Sequence, residues 1–261
     1  MTTERKTARK LTARSVVLSV LLGTDPPRLP VQLLVRTTEL FGISEGTTRT
    51  ALSRMAASGE LRADGGTYAI ADARLVARQA RQAASRAART RPWRGGRWVL
   101  AVVGTAGPRD AGDRAGTRAA LTAARLAEQR EGVWLRPDNL ERPAALEAFH
   151  TYLAVPDADP VALAADLWDL DAWAATAGAL RDGMAALVGR LDDGDTTALG
   201  PGFVLSADVL RHFQHDPLLP TALLPASWPG DVLRRDYDRY DRAYRQVLLD
   251  WFGTATRSTP R

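Results

Sequence analysis

The amino-acid sequence predicts an α+β fold with an N-terminal winged helix-turn-helix, a central ferredoxin-like α/β domain and a C-terminal helical domain. Three observations carry this prediction. Two short helical segments, a tight turn and a glycine-turn hairpin occupy the first 72 residues, which we take as the first domain. A β-branched apolar run at 98–103 begins a series of strand and helix signals that continues to residue 192. Residues 193–261 are mainly helical in pattern, and a basic connector at 73–97 joins the first two domains.

The most informative stretch is a helix bounded by two end signals. Ser44 can accept a hydrogen bond from a first-turn N–H group, Glu45 favours the positive end of the helix dipole, and Gly59 can end the helix. Residues of an α-helix advance by about 100° each, so one side of this helix is apolar or small. That side is the predicted core face, and it carries Thr48, Ala51, Leu52 and Met55.

The opposite side of the same helix is small, polar and flanked by arginines. A major groove about 12 Å wide admits a helix, and a face without bulky side chains can approach the bases closely. Thr50 and Ser53 lie at the centre of the face and are the candidates for base contact. The alternative is that helix and hairpin serve only as scaffold. The residues predicted to contact DNA are Ser44, Gly46, Thr47, Arg49, Thr50, Ser53, Arg54, Arg62, Gly65 and Gly66.

The neighbouring segments complete a winged helix-turn-helix order. A preceding helix is predicted to begin at Pro30 and to end at Gly42. Two strands, 60–63 and 67–70, are predicted to be joined by an Asp-Gly-Gly turn at 64–66. A support helix from about residue 7 or 11 to residue 22 would precede them, after a basic tail at 1–10.

Charge is unevenly distributed along the chain. Residues 1–100 contain 18 Lys and Arg against 7 Asp and Glu, whereas residues 101–261 contain 17 against 23. This asymmetry predicts a polyanionic partner for the first part only. Residues 73–91 are rich in Ala and Arg, and they are either a further phosphate-contacting helix or a solvated connector.

The elements from residue 98 onward are predicted in the order strand, helix, strand, strand, helix, which is a ferredoxin-like order, with a short helical segment between the last two strands. Strands are expected at 98–103, 132–136 and 149–155, with helices at 114–129, 141–148 and 160–190. Further helices are expected at 203–213 and 232–252, separated by a Pro-rich corner at 217–229. The acidic stretch 192–195 lacks the spaced ligands of a calcium loop and is taken as a helix end.

Composition excludes several classes of protein. The chain has no cysteine, which removes disulfide frameworks and thiolate metal sites. No stretch approaches the roughly 20 apolar residues that span a bilayer, so we expect a cytoplasmic protein with no membrane contact. The three histidines lie far from any nucleophile pattern, and no phosphate-binding glycine loop is present. We therefore expect no catalytic residue, no cofactor and no metal.

Motifs at both ends of the chain resemble one known family. They are FGISEGTTRTALSRM, from Phe41 to Met55, and HDPLLPTALLPASWPG, from His215 to Gly230. The central segments GGRWVLAVVG and EGVWLRPDNL are similar to that family as well. The sequence thus resembles the PaaX family, repressors of phenylacetic acid catabolism and related pathways, over about Leu11 to Phe252.

This resemblance implies a regulator of three parts: a winged helix, a Cas2-like ferredoxin domain used for dimerisation, and a helical domain. It also implies repression of an operon until an acyl-CoA or another pathway metabolite releases the protein. The Cas2-like fold resembles that of nucleases whose active site has an acidic metal ligand at the end of the first strand. Here that strand ends in Val103-Gly104, which disfavours a nucleic-acid enzyme.

The leading hypothesis is therefore a homodimeric transcription factor that binds a double-stranded DNA operator and a small-molecule effector. The alternatives are an enzyme and a non-catalytic protein-binding scaffold, in which the seven tryptophans, all at or after Trp93, would be interface anchors rather than core. Effector contacts are predicted at Arg211, His212 and Trp228, because a cation and an imidazole lie near aromatic residues there. Trp228 could equally form a structural corner.

Overall fold

The computed structural model describes residues 11–24, 26–87, 89–103, 111–141 and 144–257, which form two units. Unit 1 contains the residues up to Ala84 with Asp182–Asp208 and those from Asp236 onward, and unit 2 contains Ser85–Arg181 and Val209–Arg235. The segment boundaries expected from the sequence, after residues 72, 97 and 192, stay a prediction. The basic tail at 1–10 and Gly104 lie outside the described residues.

The first part of unit 1 combines helices with a three-stranded antiparallel sheet, whose strands lie in the order β1 (Arg28–Pro30), β3 (Thr67–Ile70) and β2 (Leu61–Asp64). Strand β1 was not expected from the sequence. The elements are α1 (Ala13–Leu22), β1 (Arg28–Pro30), α2 (Val31–Glu39), α3 (Glu45–Ala57), β2 (Leu61–Asp64), β3 (Thr67–Ile70) and α4 (Ala73–Ala84). Their shared core contains Val17, Leu18, Leu21, Leu34, Leu52, Met55, Leu61 and Leu75.

Local signals explain where the first helices begin and end. Thr12 caps α1, where its hydroxyl accepts a hydrogen bond from the Ser15 N–H at 3.2 Å. Pro30 directly precedes α2, where a missing N–H costs nothing. After α2 the chain turns at Gly42, whose φ of +70° favours glycine. The tight turn between the two helices therefore lies where the sequence predicts it.

Unit 2 contains a four-stranded antiparallel sheet, whose strands lie in the order β5 (Ala127–Arg130), β6 (Val133–Pro137), β4 (Trp98–Val102) and β7 (His150–Ala154). In β4, which is one of the two inner strands, Leu100 is opposite Leu135 of β6 and Tyr152 of β7. Trp98 and Ala101 of the same strand belong to two separate apolar clusters. The elements are β4 (Trp98–Val102), α5 (Ala111–Ala123), β5 (Ala127–Arg130), β6 (Val133–Pro137), a 3-10 helix (Ala144–Ala148), β7 (His150–Ala154) and α6 (Pro160–Leu167).

Two of the expected helices are wrong in extent. The helix expected at 114–129 ends at Ala123, because Arg125 has a φ of +66° and residues 127–130 pair with β6 as a strand. The single helix expected at 160–190 is interrupted at Trp168, whose backbone is extended. Asp169 then caps the next helix by accepting the Ala172 N–H at 2.9 Å.

Long helices form most of the remaining chain: α7 (Leu170–Asp192), α8 (Leu199–Gln214) and α9 (Gly230–Arg257). The helices expected at 203–213 and 232–252 lie within α8 and α9. Close contact joins these two helices inside unit 1, where the phenol of Tyr240 donates to the Gly202 carbonyl at 2.6 Å. A Cβ at Gly202 would lie 2.8 Å from that phenol oxygen, so only glycine permits this approach. Throughout the described ranges, none of the helices has the length and apolarity needed to cross a bilayer.

Candidate nucleic-acid interface

Helix α3 begins and ends at the residues that the sequence indicates. Ser44 has an extended backbone (φ −66°, ψ 152°), and its hydroxyl accepts the Thr47 N–H at 3.4 Å. Glu45 lies in the first turn. Beyond Ser58, the chain leaves the helix at Gly59, with a φ of +76°. Its own capping residues thus determine where α3 begins and ends.

The inner face of α3 fixes its position against α2. Leu52 and Thr48 are fully buried, and Met55 is 2% exposed. The hydroxyls of Thr38 and Thr48 share a buried hydrogen bond of 2.6 Å, which joins α2 to α3. The Thr38 hydroxyl also lies 2.7 Å from the Val35 carbonyl, to which it can donate. Because buried polar groups are costly without partners, this pair restricts how the two helices can pack.

The outer face of α3 is exposed at every position that the sequence assigned to it. Arg49 donates through Nε to Glu45 at 2.7 Å, and the Thr50 hydroxyl donates to the Gly46 carbonyl at 2.8 Å. The guanidinium of Arg54 makes no hydrogen bond or ion pair with another described residue. A Cβ at Gly46 would meet no atom within 4 Å. The exposed set is Ser44, Gly46, Thr47, Arg49, Thr50, Ser53 and Arg54.

The hairpin after α3 presents the other predicted residues. Gly65 and Gly66 have φ values of +51° and +79°, the combination required by a tight turn matched to strand twist. Both glycines and Arg62 are exposed. Strand β3 is central, since Tyr68 lies opposite Leu29 of β1 and Ala63 of β2. Within the hairpin, β3 is therefore paired on both sides, whereas β2 is paired with β3 and lies at the edge of the sheet.

The three predicted effector residues lie in unit 2, and the structure brings two of them together. The ring of His212 stacks on Trp173 at a centroid distance of 4.2 Å, and the ring of Trp228 stacks on Trp173 at 4.4 Å. Arg211 is exposed on α8. Trp173 was missed from the sequence because 39 residues separate it from His212 and no local pattern links them.

The polar groups of this stack are unusual. Trp173 is 7% exposed, and its indole N–H is buried without a hydrogen-bond partner among the described residues. Burial lowers the pKa of His212 below its ordinary value, although the nearby Asp216 carboxylate acts in the opposite direction. Burial therefore favours the neutral form of this imidazole. Among the described residues, this stack included, no three His, Asp or Glu side chains gather as they would around a metal ion.

Comparisons with known proteins place these features in a family. A family model described as PaaX-like protein matches residues 12–73, and one described as PaaX-like protein C-terminal domain matches residues 168–255. The chain belongs to the PaaX-like family. Helix α3 and the hairpin lie inside the first PaaX-like match, and Trp173, His212 and Trp228 lie inside the second.

One solved structure is similar over nearly the whole chain. It is the uncharacterized protein Rv0674 from Mycobacterium tuberculosis, 40% identical, with a TM-score of 0.73. The similarity covers 90% of this chain and 97% of that protein. None of the curated proteins matches this PaaX-like chain.

Proposed function

We propose that this PaaX-like protein is a non-enzymatic regulator of transcription, a repressor that binds a DNA operator as a homodimer. The observation that carries the proposal is the division of α3 into a buried face and an outer face on which seven small, polar or basic residues are exposed. PaaX-like proteins are in general transcriptional regulators, and the positive charge of the first 100 residues favours a DNA partner.

In this proposal the first part of unit 1 is a winged helix-turn-helix. Helix α3 enters the major groove, and the β2–β3 hairpin is the wing that lies beside it. The sheet order β5-β6-β4-β7 supports a ferredoxin-like arrangement in unit 2, with the second helix reduced to the 3-10 helix Ala144–Ala148. Two copies related by a two-fold axis would bind two half-sites.

Sequencing the fragments that the purified protein retains from sheared genomic DNA would identify the operator. We expect one recurring sequence with two related half-sites, because a single winged helix buries too little surface for strong specificity. A protein-binding scaffold would retain no recurring sequence. An enzyme of nucleic acids would cleave the retained fragments under the same conditions.

Replacing Gly46 with leucine is expected to lower operator affinity by about tenfold or more, equivalent to about 1.4 kcal/mol or more. The new side chain would project from the outer face into the space that a DNA surface needs, without touching the core. Arg54→Ala is expected to weaken binding by about 1–3 kcal/mol if its guanidinium contacts a base. Fluorescence anisotropy on the operator measures both effects.

Gly189→Leu is the matched control for Gly46→Leu. Gly189 is also exposed in a helix, and a Cβ there also meets no atom within 4 Å. We expect it to bind operator like the parent protein, and all variants to keep the parent's thermal midpoint. Parental affinity in Gly46→Leu and Arg54→Ala would show that the outer face of α3 is not a DNA surface.

The proposal includes release by a small molecule that binds at Arg211, His212 and Trp228. The buried indole N–H of Trp173 and the buried Nε2 of His212 both lack a hydrogen-bond partner among the described residues, which supports a polar ligand group there. Acyl-CoA thioesters are the class to test, following the family resemblance. A thioester that releases the operator is expected to lower affinity by roughly 5- to 150-fold.

Trp228→Ala is expected to abolish this release while binding operator like the parent protein. Operator anisotropy is measured with acetyl-CoA, with phenylacetyl-CoA and with free CoA as the ligand control. Trp251→Ala removes the same side chain in unit 1 and is expected to keep the response. Release that persists in Trp228→Ala would contradict this placement of the effector.

A further inference from the structure

An open groove of about 710 Å³ runs between the start of α1 and the outer face of α3. One wall carries residues of α3 that the sequence analysis predicted to contact DNA. The other wall carries two residues at the start of α1, which was predicted only as a support helix. The residues that matter are Gly46, Thr47, Thr50 and Arg54 on α3, and Thr12 and Arg14 at the start of α1. All of them belong to unit 1.

Arg14 is oriented at this groove by a carboxylate. Its Nε donates to Oε2 of Glu60 at 2.8 Å, and its Nη2 lies 2.8 Å from the same oxygen. Ser58 donates its hydroxyl to Oε1 of Glu60 at 3.2 Å, which fixes the other side of the carboxylate. The Glu60 side chain is only 21% exposed, whereas that of Arg14 is 51% exposed. The Glu60 carboxylate is therefore mostly buried, whereas the Arg14 guanidinium that it binds is accessible to solvent.

The remaining nitrogen of this guanidinium is available for another acceptor. No hydrogen bond or ion pair of Nη1 is present among the residues that the structure describes. An arginine has five N–H donors in a planar fork, and only one edge of the fork faces Glu60. Thr12 is a weaker candidate, because its hydroxyl already caps α1 and lies 3.1 Å from the Ser15 hydroxyl.

The groove has the charge and position of a phosphate-contacting surface. Its charged side chains are Arg14, Arg54 and Glu60, which give an excess of one positive charge. A helix inserted into the major groove has sugar-phosphate backbone along its sides, and half or more of protein–DNA hydrogen bonds go to this backbone. A wall beside α3 that ends in an oriented arginine would therefore meet phosphates.

We propose that this groove receives one sugar-phosphate strand of the operator, and that Arg14 binds a phosphate through Nη1 while Glu60 orients it. The inference rests on the proposed function, since it presumes that α3 enters DNA. It adds α1 to the contact surface. Because the contact is with a phosphate, it strengthens binding to every duplex and carries no sequence preference.

The test is the salt dependence of binding to the operator and to an unrelated duplex. Each phosphate neutralised contributes about −0.9 to the slope of log affinity against log salt concentration. Arg14→Ala is expected to reduce the steepness by about this amount on both duplexes and to weaken both. Arg14→Lys keeps the charge and is expected to retain the parent's slope.

Arg118→Ala is the matched control. Arg118 forms a similar exposed ion pair with Glu128 at 2.7 Å, with side-chain exposures of 66% and 20%, but it lies in unit 2. Arg118→Ala removes one positive charge, as Arg14→Ala does, and is expected to keep the parent's slope of log affinity against log salt concentration. Thermal midpoints of all variants are measured in parallel, and we expect Arg14→Ala and Arg118→Ala to shift them equally.

The outcomes separate this inference from the proposed function. If the parent protein binds neither duplex, the proposed function fails. If the parent binds the operator and Arg14→Ala has the same slope as Arg118→Ala, the groove does not hold a phosphate at Arg14, and the role of α3 stands. If Arg14→Ala is destabilised, Arg14→Gln takes its place, because it also removes the charge: a reduced slope supports the contact, and a parental slope overturns it.

Discussion

Replacing Leu52 with alanine is expected to destabilise unit 1 by about 2–5 kcal/mol. Leu52 is fully buried, and it belongs to a core cluster with Leu18, Leu34 and Met55. The substitution removes three carbons from the inner face of α3 and leaves a cavity that its neighbours can fill only in part. Urea unfolding followed by far-UV circular dichroism measures the loss as a lower midpoint for the helices of this unit.

Ser53→Ala is the control for this experiment. Ser53 is the next residue on the same helix, but it is exposed, and exposed substitutions usually change stability by no more than about 0.5 kcal/mol. A loss in Leu52→Ala no larger than that in Ser53→Ala would mean that α3 is not packed through this face. Its opposite face could then not be assigned to DNA on the basis of exposure.

The inner and outer faces of α3 could be predicted because the information is local. A capping serine, a terminal glycine and a 3.6-residue period all lie within 16 residues. The hairpin could also be predicted from the sequence, since two consecutive glycines connect its strands. Both glycines have a positive φ in the structure. The α3 variants Gly46→Leu and Arg54→Ala test whether these exposed residues bind DNA.

The missed strands depend on partners that are distant or have no characteristic pattern. Strand β1 has only three residues, and it is a strand because Leu29 lies opposite Tyr68, 39 residues later. Strand β5 has the sequence Ala-Glu-Gln-Arg, residues that favour helix, and pairing with β6 overrides that preference. The helix predicted at 114–129 therefore included most of β5, because β5 contains no β-branched residue.

The candidate sites were missed in part for the same physical reason. Arg14 lies at the start of a helix whose apolar pattern indicates only packing, and its orientation depends on Glu60, 46 residues away. Trp173 lies in the middle of an apolar helix segment, where core packing is the ordinary interpretation. The stack with His212 and Trp228 exists because α7 and α8 meet in unit 2, which no local pattern encodes.

A second large effect is expected at the buried ion pair of unit 2. Arg234 and Asp216 lie 2.7 Å apart, with side-chain exposures of 12% and 3%. Arg234 also donates to the carbonyls of Arg86 at 3.1 Å and Gly230 at 3.2 Å. Asp216 accepts the N–H of Leu218 at 2.9 Å. The pair thus joins the end of α8 to the start of α9 within this unit.

Asp216→Asn is expected to destabilise unit 2 by about 3–5 kcal/mol, because it keeps the shape of the side chain but leaves a buried guanidinium without its counter-charge. Urea unfolding followed by tryptophan fluorescence is the suitable measurement, since six of the seven tryptophans lie in unit 2. Glu128→Gln is the control, because it breaks the exposed pair with Arg118 and is expected to cost about 0–1 kcal/mol.

The double variant Asp216→Asn with Arg234→Met distinguishes a true ion pair from two independent polar groups. Removing both charges leaves no uncompensated ion, so the double variant is expected to lose less stability than the sum of the two single variants. Additive losses would mean that each residue acts through its own backbone contacts, at Leu218 for the carboxylate and at Arg86 and Gly230 for the guanidinium. Against the larger effect of burial, the Asp216 carboxylate also acts to raise the pKa of His212. Coupling between Asp216 and Arg234 would therefore place the ion pair and the aromatic stack in one electrostatic cluster.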